Sequence, residues 1–425
     1  MDASCARPAA GPPSQLPQQV SQSPQVPQQA SRPSERASHT PQPQQTAPLP
    51  KRPEVTELRL SAFKSHRNAV FPLGPLTLFR GGSGSGKSNA LQGYEVLARL
   101  AGGDTLEEAL APVAGGPSAC VPQQARPDAQ GRRGFRIGCT VTGPAGPVRL
   151  DVAVQAEPVL RVVGERLTGF GETLLSTALR DPGLRTVEAV WHTAGAVPVT
   201  RAPLPDDRLG TSLLPLRVAG KTAGQRMVLD AAEQVVVALR SVFPCDPRPE
   251  LMRMPAAARD GMLRGACDNV AAVLGRTRHE CAIRHGLLVT AAGAGCRGPV
   301  EGLTVEELDG GFLRAVLARK AGATTPLERL ADGELRYLAL CLVLLTGPGV
   351  LAVDQAAEVL PALQTLTVLA DGLDRCLDER QARGLVGLAA RMCERGHIRL
   401  VGTVRGAVAE EAARAAGVSV VDLGT

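Results

Sequence analysis

Apolar and polar residues alternate through "EVTELRLSAF" (54 to 63), and a second, shorter apolar stretch, "GPLTLFR", ends at Arg80. Both patterns predict strands separated by a turn, the second running straight into a glycine-rich segment. From Lys87 the period changes, because Leu91, Tyr94, Leu97 and Leu100 recur at helical spacing until Gly102 and Gly103 stop them. The order over 54 to 103 is strand, loop, helix.

Residues 104 to 225 carry short alternating segments, "FRIGCTVTG", "VRLDVAVQ" and "VLRVVGERL", split by Gly and Pro. They predict a small antiparallel β lobe with long surface loops. In 226 to 325, "VLDAAEQVVVALRSVF" and "GMLRGACDNVAAVLGR" predict helices around a Pro-rich link, "PCDPRPELMRMP", and strands return near "LTVEEL" and "FLRAVLAR". This is expected to be a helical lobe with strands. From 326 to 425 a helix, a strand, more helices and two final strands, "HIRLVGTV" and "VSVVDL", are expected, with no internal repeat. The longest apolar run, "YLALCLVLLTGPGVLAVD", is broken at Gly347, Pro348 and Gly349. A helix that short predicts a buried helix and a buried strand, and no membrane partner.

The first 53 residues depart from these patterns, holding 12 of the 34 prolines and 10 glutamines without Phe, Tyr, Trp or Ile. They are expected to form a disordered Pro/Gln-rich tail, leaving 54 to 425 as the folded domain. The tail carries five basic residues against two acidic ones, about half of the formal charge of +6. The folded part is therefore near neutral, and nothing in it demands DNA as a partner. Ten cysteines without a C-x-x-C pair, and no basic-then-apolar leader, predict a reduced cytoplasmic protein. His279, Cys281 and His285 lack the spacing of zinc ligands, and His192 beside Trp191 is expected to serve packing.

The chemistry is concentrated in "GGSGSGKS", which fits G-x-x-x-x-G-K-[ST] at Gly81, Gly86, Lys87 and Ser88. Glycines at 81, 82, 84 and 86, with Ser83 and Ser85 between, allow consecutive backbone N–H groups to turn toward phosphate oxygens, and the following helix adds its positive end. Lys87 would reach the β- and γ-phosphates and Ser88 would hold Mg²⁺. A second "GKT" at 220 to 222 has Pro215 where the first glycine belongs and is given no role.

Three further segments, with the P-loop, resemble the RecF- and SMC-like branch of ABC-type ATPases. "LRLSAFKSHRNAVFPLGPLTLFRGGSGSGKSN" is similar to that group's opening, with Asn89 after the Ser; "LERLADGELRYLALCLVLL" (327 to 345) resembles its signature segment; and "GVLAVDQ" resembles its Walker B strand. The resemblance implies an α/β P-loop NTPase of ABC-head type, with a core parallel sheet flanked by helices, an antiparallel β lobe and a helical lobe. It also implies ATP and Mg²⁺ as cofactors, and Gly333 reaching the γ-phosphate of a second head in a head-to-tail dimer. Independently, an apolar run that ends in a carboxylate places Asp354 at the tip of a central strand, where it can hold Mg²⁺ beside Ser88.

Several positions depart from the family pattern. Ala331 stands where the signature Ser is usual, Gln355 where a Glu activates water, Ala356 where a Pro follows, and Val404 where a His senses the γ-phosphate, with Arg405 next to it. A Gln amide positions water but cannot accept its proton. Gln155 is one candidate among several for the Gln that completes the metal site. The expectation is an ATP-binding protein with slow or impaired hydrolysis, or alternatively a non-hydrolysing nucleotide-gated scaffold or regulatory subunit. Its heads would pair as a homodimer, or as a heterodimer with a competent ATPase.

Overall fold

The computed structural model describes residues 51–194, 198–347, 349–353, 359–360 and 363–424. All but the last three residues of the expected tail lie outside this set.

The chain opens with a hairpin, β1 (Glu54–Phe63) and β2 (His66–Pro72), then β3 (Leu76–Arg80), α1 (Lys87–Gly102) and α2 (Leu106–Leu110). Six strands follow: β4 (Arg133–Gly143), β5 (Gly146–Glu157), β6 (Arg161–Gly169), β7 (Glu172–Ala178), β8 (Thr186–His192) and β9 (Val199–Pro205). Next come α3 (Gly210–Arg217), α4 (Ala223–Arg240), β10 (Val242–Cys245), α5 (Pro249–Met252), β11 (Ala256–Ala257), α6 (Val270–Glu280) and α7 (Ala282–Gly295). Then β12 (Gly302–Leu308), β13 (Phe312–Ala318) and β14 (Thr324–Pro326) lead to α8 (Asp332–Leu345). The described chain closes with β15 (Leu366–Ala370), α9 (Glu379–Glu394), β16 (Ile398–Thr403), α10 (Gly406–Ala412) and β17 (Val418–Asp422).

These strands form three sheets. An eight-stranded antiparallel sheet runs β2-β1-β4-β5-β6-β7-β8-β9, a five-stranded sheet runs β10-β15-β16-β3-β17, and a smaller one joins β11, β13 and β12, with β14 on β13. Every pairing in the five-stranded sheet is parallel. Parallel strands need cover on both faces, and the side chains alternate accordingly. Leu78, Val368 and Leu400 point to a core shared with α6, α8 and α9. Phe79, Leu369 and Val401 point to a second core shared with α1, α4 and the antiparallel sheet. The expected fold class, a parallel core sheet flanked by helices with an antiparallel lobe and a helical lobe, is the one observed.

Three sequence expectations change. The antiparallel sheet is the largest of the three, because β1 and β2 join it instead of the P-loop strand. β10, "VFPC", takes the end of the segment expected as a helix and the first two residues of the Pro-rich link, and pairs with β15 at the edge of the core sheet. The expected strand at 349 to 355 is replaced in the core sheet by β15, "LTVLA", where helices were expected; Leu351 makes only an isolated bridge to Leu263. Periodicity cannot separate the two runs, since a strand buried on both faces shows no polar alternation. Among the described residues no helix is long and apolar enough to cross a membrane.

Arg399 of β16 stitches the parallel sheet to the antiparallel one. Its buried guanidinium donates to the carbonyls of Val55 (3.2 Å), Leu73 (2.9 Å) and Gly74 (2.9 Å), and also pairs with the Glu54 carboxylate. Truncation removes the donor from all three carbonyls at once. Arg399→Ala is expected to cost about 2–3 kcal/mol of stability, read as a lower midpoint in chemical denaturation.

Candidate nucleotide site

The P-loop lies between β3 and α1, at the carboxyl edge of the parallel sheet, where loops of such sheets bind ligands. Gly86 is the residue before α1, at φ 98° and ψ 8°, a left-handed conformation that glycine adopts without steric cost. A Cβ there would lie 2.4 Å from Ser65 Oγ and 2.8 Å from His66 Cε1. The second constraint comes from His66, which is buried, donates from Nε2 to the Gly86 carbonyl at 3.0 Å, and packs edge-on against Phe71. Burial lowers the His66 pKa, which favours the neutral ring. Asn89 is tied to the same turn, donating from Nδ2 to Ser65 Oγ at 2.8 Å.

The cradle has spare hydrogen-bonding capacity. Lys87 Nζ folds back onto the carbonyls of Gly81 (2.7 Å) and Gly82 (2.8 Å). Among the described residues Ser85 Oγ is buried without a partner. Gly82, Ser83 and Gly84 are exposed. An orphaned hydroxyl, and an ammonium held only by loop carbonyls, fit a phosphate chain.

The carboxylate facing Ser88 is Asp371, at the end of β15. Ser88 Oγ donates to its two oxygens at 2.9 and 3.0 Å, and Thr403 Oγ1, at the end of β16, donates to Oδ1 at 2.7 Å. Thr403 Oγ1 in turn accepts from the Gly372 N–H at 2.7 Å. Thr403 thus fixes the orientation of the carboxylate as an outer partner fixes a metal ligand. Asp354 and Gln355 lie outside the described residues. Among the described residues the carboxylate at the tip of a core strand beside Ser88 is Asp371, and the residue after it is Gly372. One signal could have found it: after the short link "GLDRCL", the helix of "DERQARGLVGLAARM" and the strand "IRLVGT" follow "LTVLAD", and together they make one strand–helix–strand unit.

A cleft of about 510 Å³ opens beside Ser88 and Asp371, with Gln92, Glu95, Asp246 and Arg248 in its wall. Asp246 follows β10 and accepts from the buried Arg336 of α8 at 3.0 Å. Arg336 also donates to the Gly372 carbonyl at 3.0 Å. Gln155 is not part of this cleft. It is buried in β5 and donates to the Val159 carbonyl at 2.9 Å.

The signature segment opens α8. Ala331 and Asp332 are exposed, but Gly333 is buried, and a Cβ on it would lie 2.3 Å from the Cys376 carbonyl oxygen. Its glycine identity is thus accounted for by packing within the chain. Asp332 is the first residue of the helix and pairs with Arg253 at 2.7 Å, while Glu334 accepts from the Ala331 N–H at 3.0 Å. Val404 is buried, and Arg405 is engaged by Asp374, donating from Nε to Oδ2 at 3.0 Å and from Nη2 to the carbonyl at 2.9 Å.

No family model matches the chain, and no curated protein matches it. Three solved structures are similar over most of its length. An SmcHead bound to the C-winged helix domain of ScpA has 14% identity and a TM-score of 0.46, covering 83% of this chain and 90% of that one. An SMC head domain from Thermotoga maritima has 12% identity and a TM-score of 0.39, covering 84% and 92%. An Smc head domain with an extended coiled coil, bound to the C-terminal domain of ScpA derived from Pyrococcus furiosus, has 12% identity and a TM-score of 0.44, covering 85% and 92%. At these scores the fold rests on the strand order and loop geometry of the chain itself.

Gly333→Ala forces a methyl into the Cys376 backbone and is expected to cost about 1–3 kcal/mol, measured as a lower unfolding midpoint of the nucleotide-free protein. A glycine required only by a second head's nucleotide would leave that midpoint unchanged.

Proposed function

We propose that this chain binds ATP with Mg²⁺ as an ABC-type head and hydrolyses it slowly or not at all. The observation that carries the reading is the carboxylate of Asp371 held against Ser88 at the mouth of the P-loop, followed by a glycine where a catalytic carboxylate would stand. Backbone N–H groups of residues 82 to 88 would receive the phosphates, and Lys87 would exchange the Gly81 and Gly82 carbonyls for phosphate oxygens. Ser88 and Asp371 are the residues that would hold the metal, oriented by Thr403. Bound Mg²⁺ supplies charge neutralisation at the β- and γ-phosphates.

The hydrolytic half is where this chain is poor. Gly372 offers no group to accept a proton from water, Val404 offers no hydrogen bond, and Arg405 is committed to Asp374. Positioning and electrostatic stabilisation still supply much of phosphoryl-transfer catalysis, so slow turnover is consistent with this set. Pairing with a second head, either a copy or a companion ATPase, is part of the same reading. The start of α8 would present Ala331 and Asp332 at that contact, without the usual hydroxyl.

The test is single-turnover ATP hydrolysis with Mg²⁺, alongside equilibrium binding, for wild type, Lys87→Ala, Asp371→Asn and Gly372→Glu. Slow wild-type turnover is expected. Lys87→Ala should weaken binding at least about tenfold through loss of a charge-assisted contact. Asp371→Asn should remove most of the Mg²⁺ dependence, and Gly372→Glu should raise the rate. Unchanged affinity in Lys87→Ala would end the nucleotide reading, and fast wild-type turnover would end the claim of impaired hydrolysis.

A further inference from the structure

The place left by the missing carboxylate is filled by a cation. A Cβ built on Gly372 would lie 2.9 Å from Arg375 Nε, 3.0 Å from Nη2 and 3.2 Å from Cζ, so the guanidinium occupies the space a side chain at 372 would enter. Arg375 Nη2 lies 3.9 Å from Asp371 Oδ2, and Nη1 lies 3.4 Å from Asp246 Oδ1. Its side chain is 49% exposed, and those of Asp371 and Asp246 are 37% and 41% exposed.

The backbone beneath Arg375 is fixed. The Arg375 N–H donates to the Gly372 carbonyl at 2.9 Å, the Leu373 N–H donates to the Thr403 carbonyl at 2.9 Å, and the Asp374 carboxylate is held by Arg405. Arg336 holds the Gly372 carbonyl from the opposite side. Among the described residues the guanidinium is held by two loose, half-exposed ion pairs, which are weak and readily exchanged for a stronger anion. A metal drawn to Asp371 and Ser88 would compete directly with the 3.9 Å pair.

Resting on the nucleotide reading above, we propose that Arg375 contacts the terminal phosphate of a bound nucleoside triphosphate, supplied from within the same chain, and so makes the site discriminate tri- from diphosphate. A planar guanidinium matches phosphate geometry through two parallel N–H donors. As a permanent cation it cannot take a proton from water, so it strengthens retention of the triphosphate without providing a base. The absence of a side chain at 372 is what leaves it room.

The experiment is equilibrium displacement of a fluorescent ADP analogue by ATP and by ADP, with Mg²⁺, on the full chain carrying Arg375→Ala, Arg375→Lys or Lys87→Ala. Arg375→Ala is expected to weaken ATP roughly tenfold while leaving ADP within about twofold, the scale of one charge-assisted hydrogen bond. Arg375→Lys should recover part of the ATP affinity. Equal effects of Arg375→Ala on both nucleotides, or none on either, would overturn the proposal while the nucleotide reading stands. Loss of both nucleotides in Lys87→Ala shows that the cradle works as read. A wild type that binds neither nucleotide overturns both readings.

Discussion

The hydrogen-bond relay from Ser88 through Asp371 to Thr403 is the constraint around which the rest of the site is organised. It joins the first turn of α1 to the ends of β15 and β16, so three elements distant in sequence meet within hydrogen-bonding distance. The parallel sheet makes this possible because strands covered on both faces cannot slide without exposing one of two cores. Arg399, at the other end of β16, extends the same rigidity to the hairpin that opens the chain. Binding geometry at the loop is thus a property of the sheet and not of the loop alone.

Much of this was legible in the sequence, in proportion to how local its cause is. The P-loop could be read because eight contiguous residues carry it, and α1 because its apolar stripe and glycine stop lie within one segment. The hairpin of β1 and β2 was half seen, since "HRNAVFP" has little alternation and its partner strand lies across a two-residue turn. The core strand β15 was missed because two apolar runs, each ending before an Asp, look alike when burial on both faces erases the alternation. Only the pairing of β15 with β10 and β16 separates them, and pairing is a long-range fact. Gly333 has a cause that the sequence does not show, since its close approach to the Cys376 backbone is a contact between segments distant along the chain.

The charges around the cleft form a chain of alternating sign, from Arg336 to Asp246 to Arg375 to Asp371. Buried Arg336 is anchored and exposed Arg375 is loosely held, so the arrangement is stiff at one end and adjustable at the other. Such a gradient suits a site whose inner groups set geometry while its outer ones respond to what enters.

The contact between Gly333 and Cys376 has a mechanical meaning as well. Two backbones touch there with no side chain between them, so there is nothing compressible to absorb a displacement. The exposed start of α8 and the turn of residues 371 to 376 therefore meet backbone to backbone. A push on Ala331 and Asp332 would therefore meet the turn that carries Asp371 without an intervening side chain to absorb it.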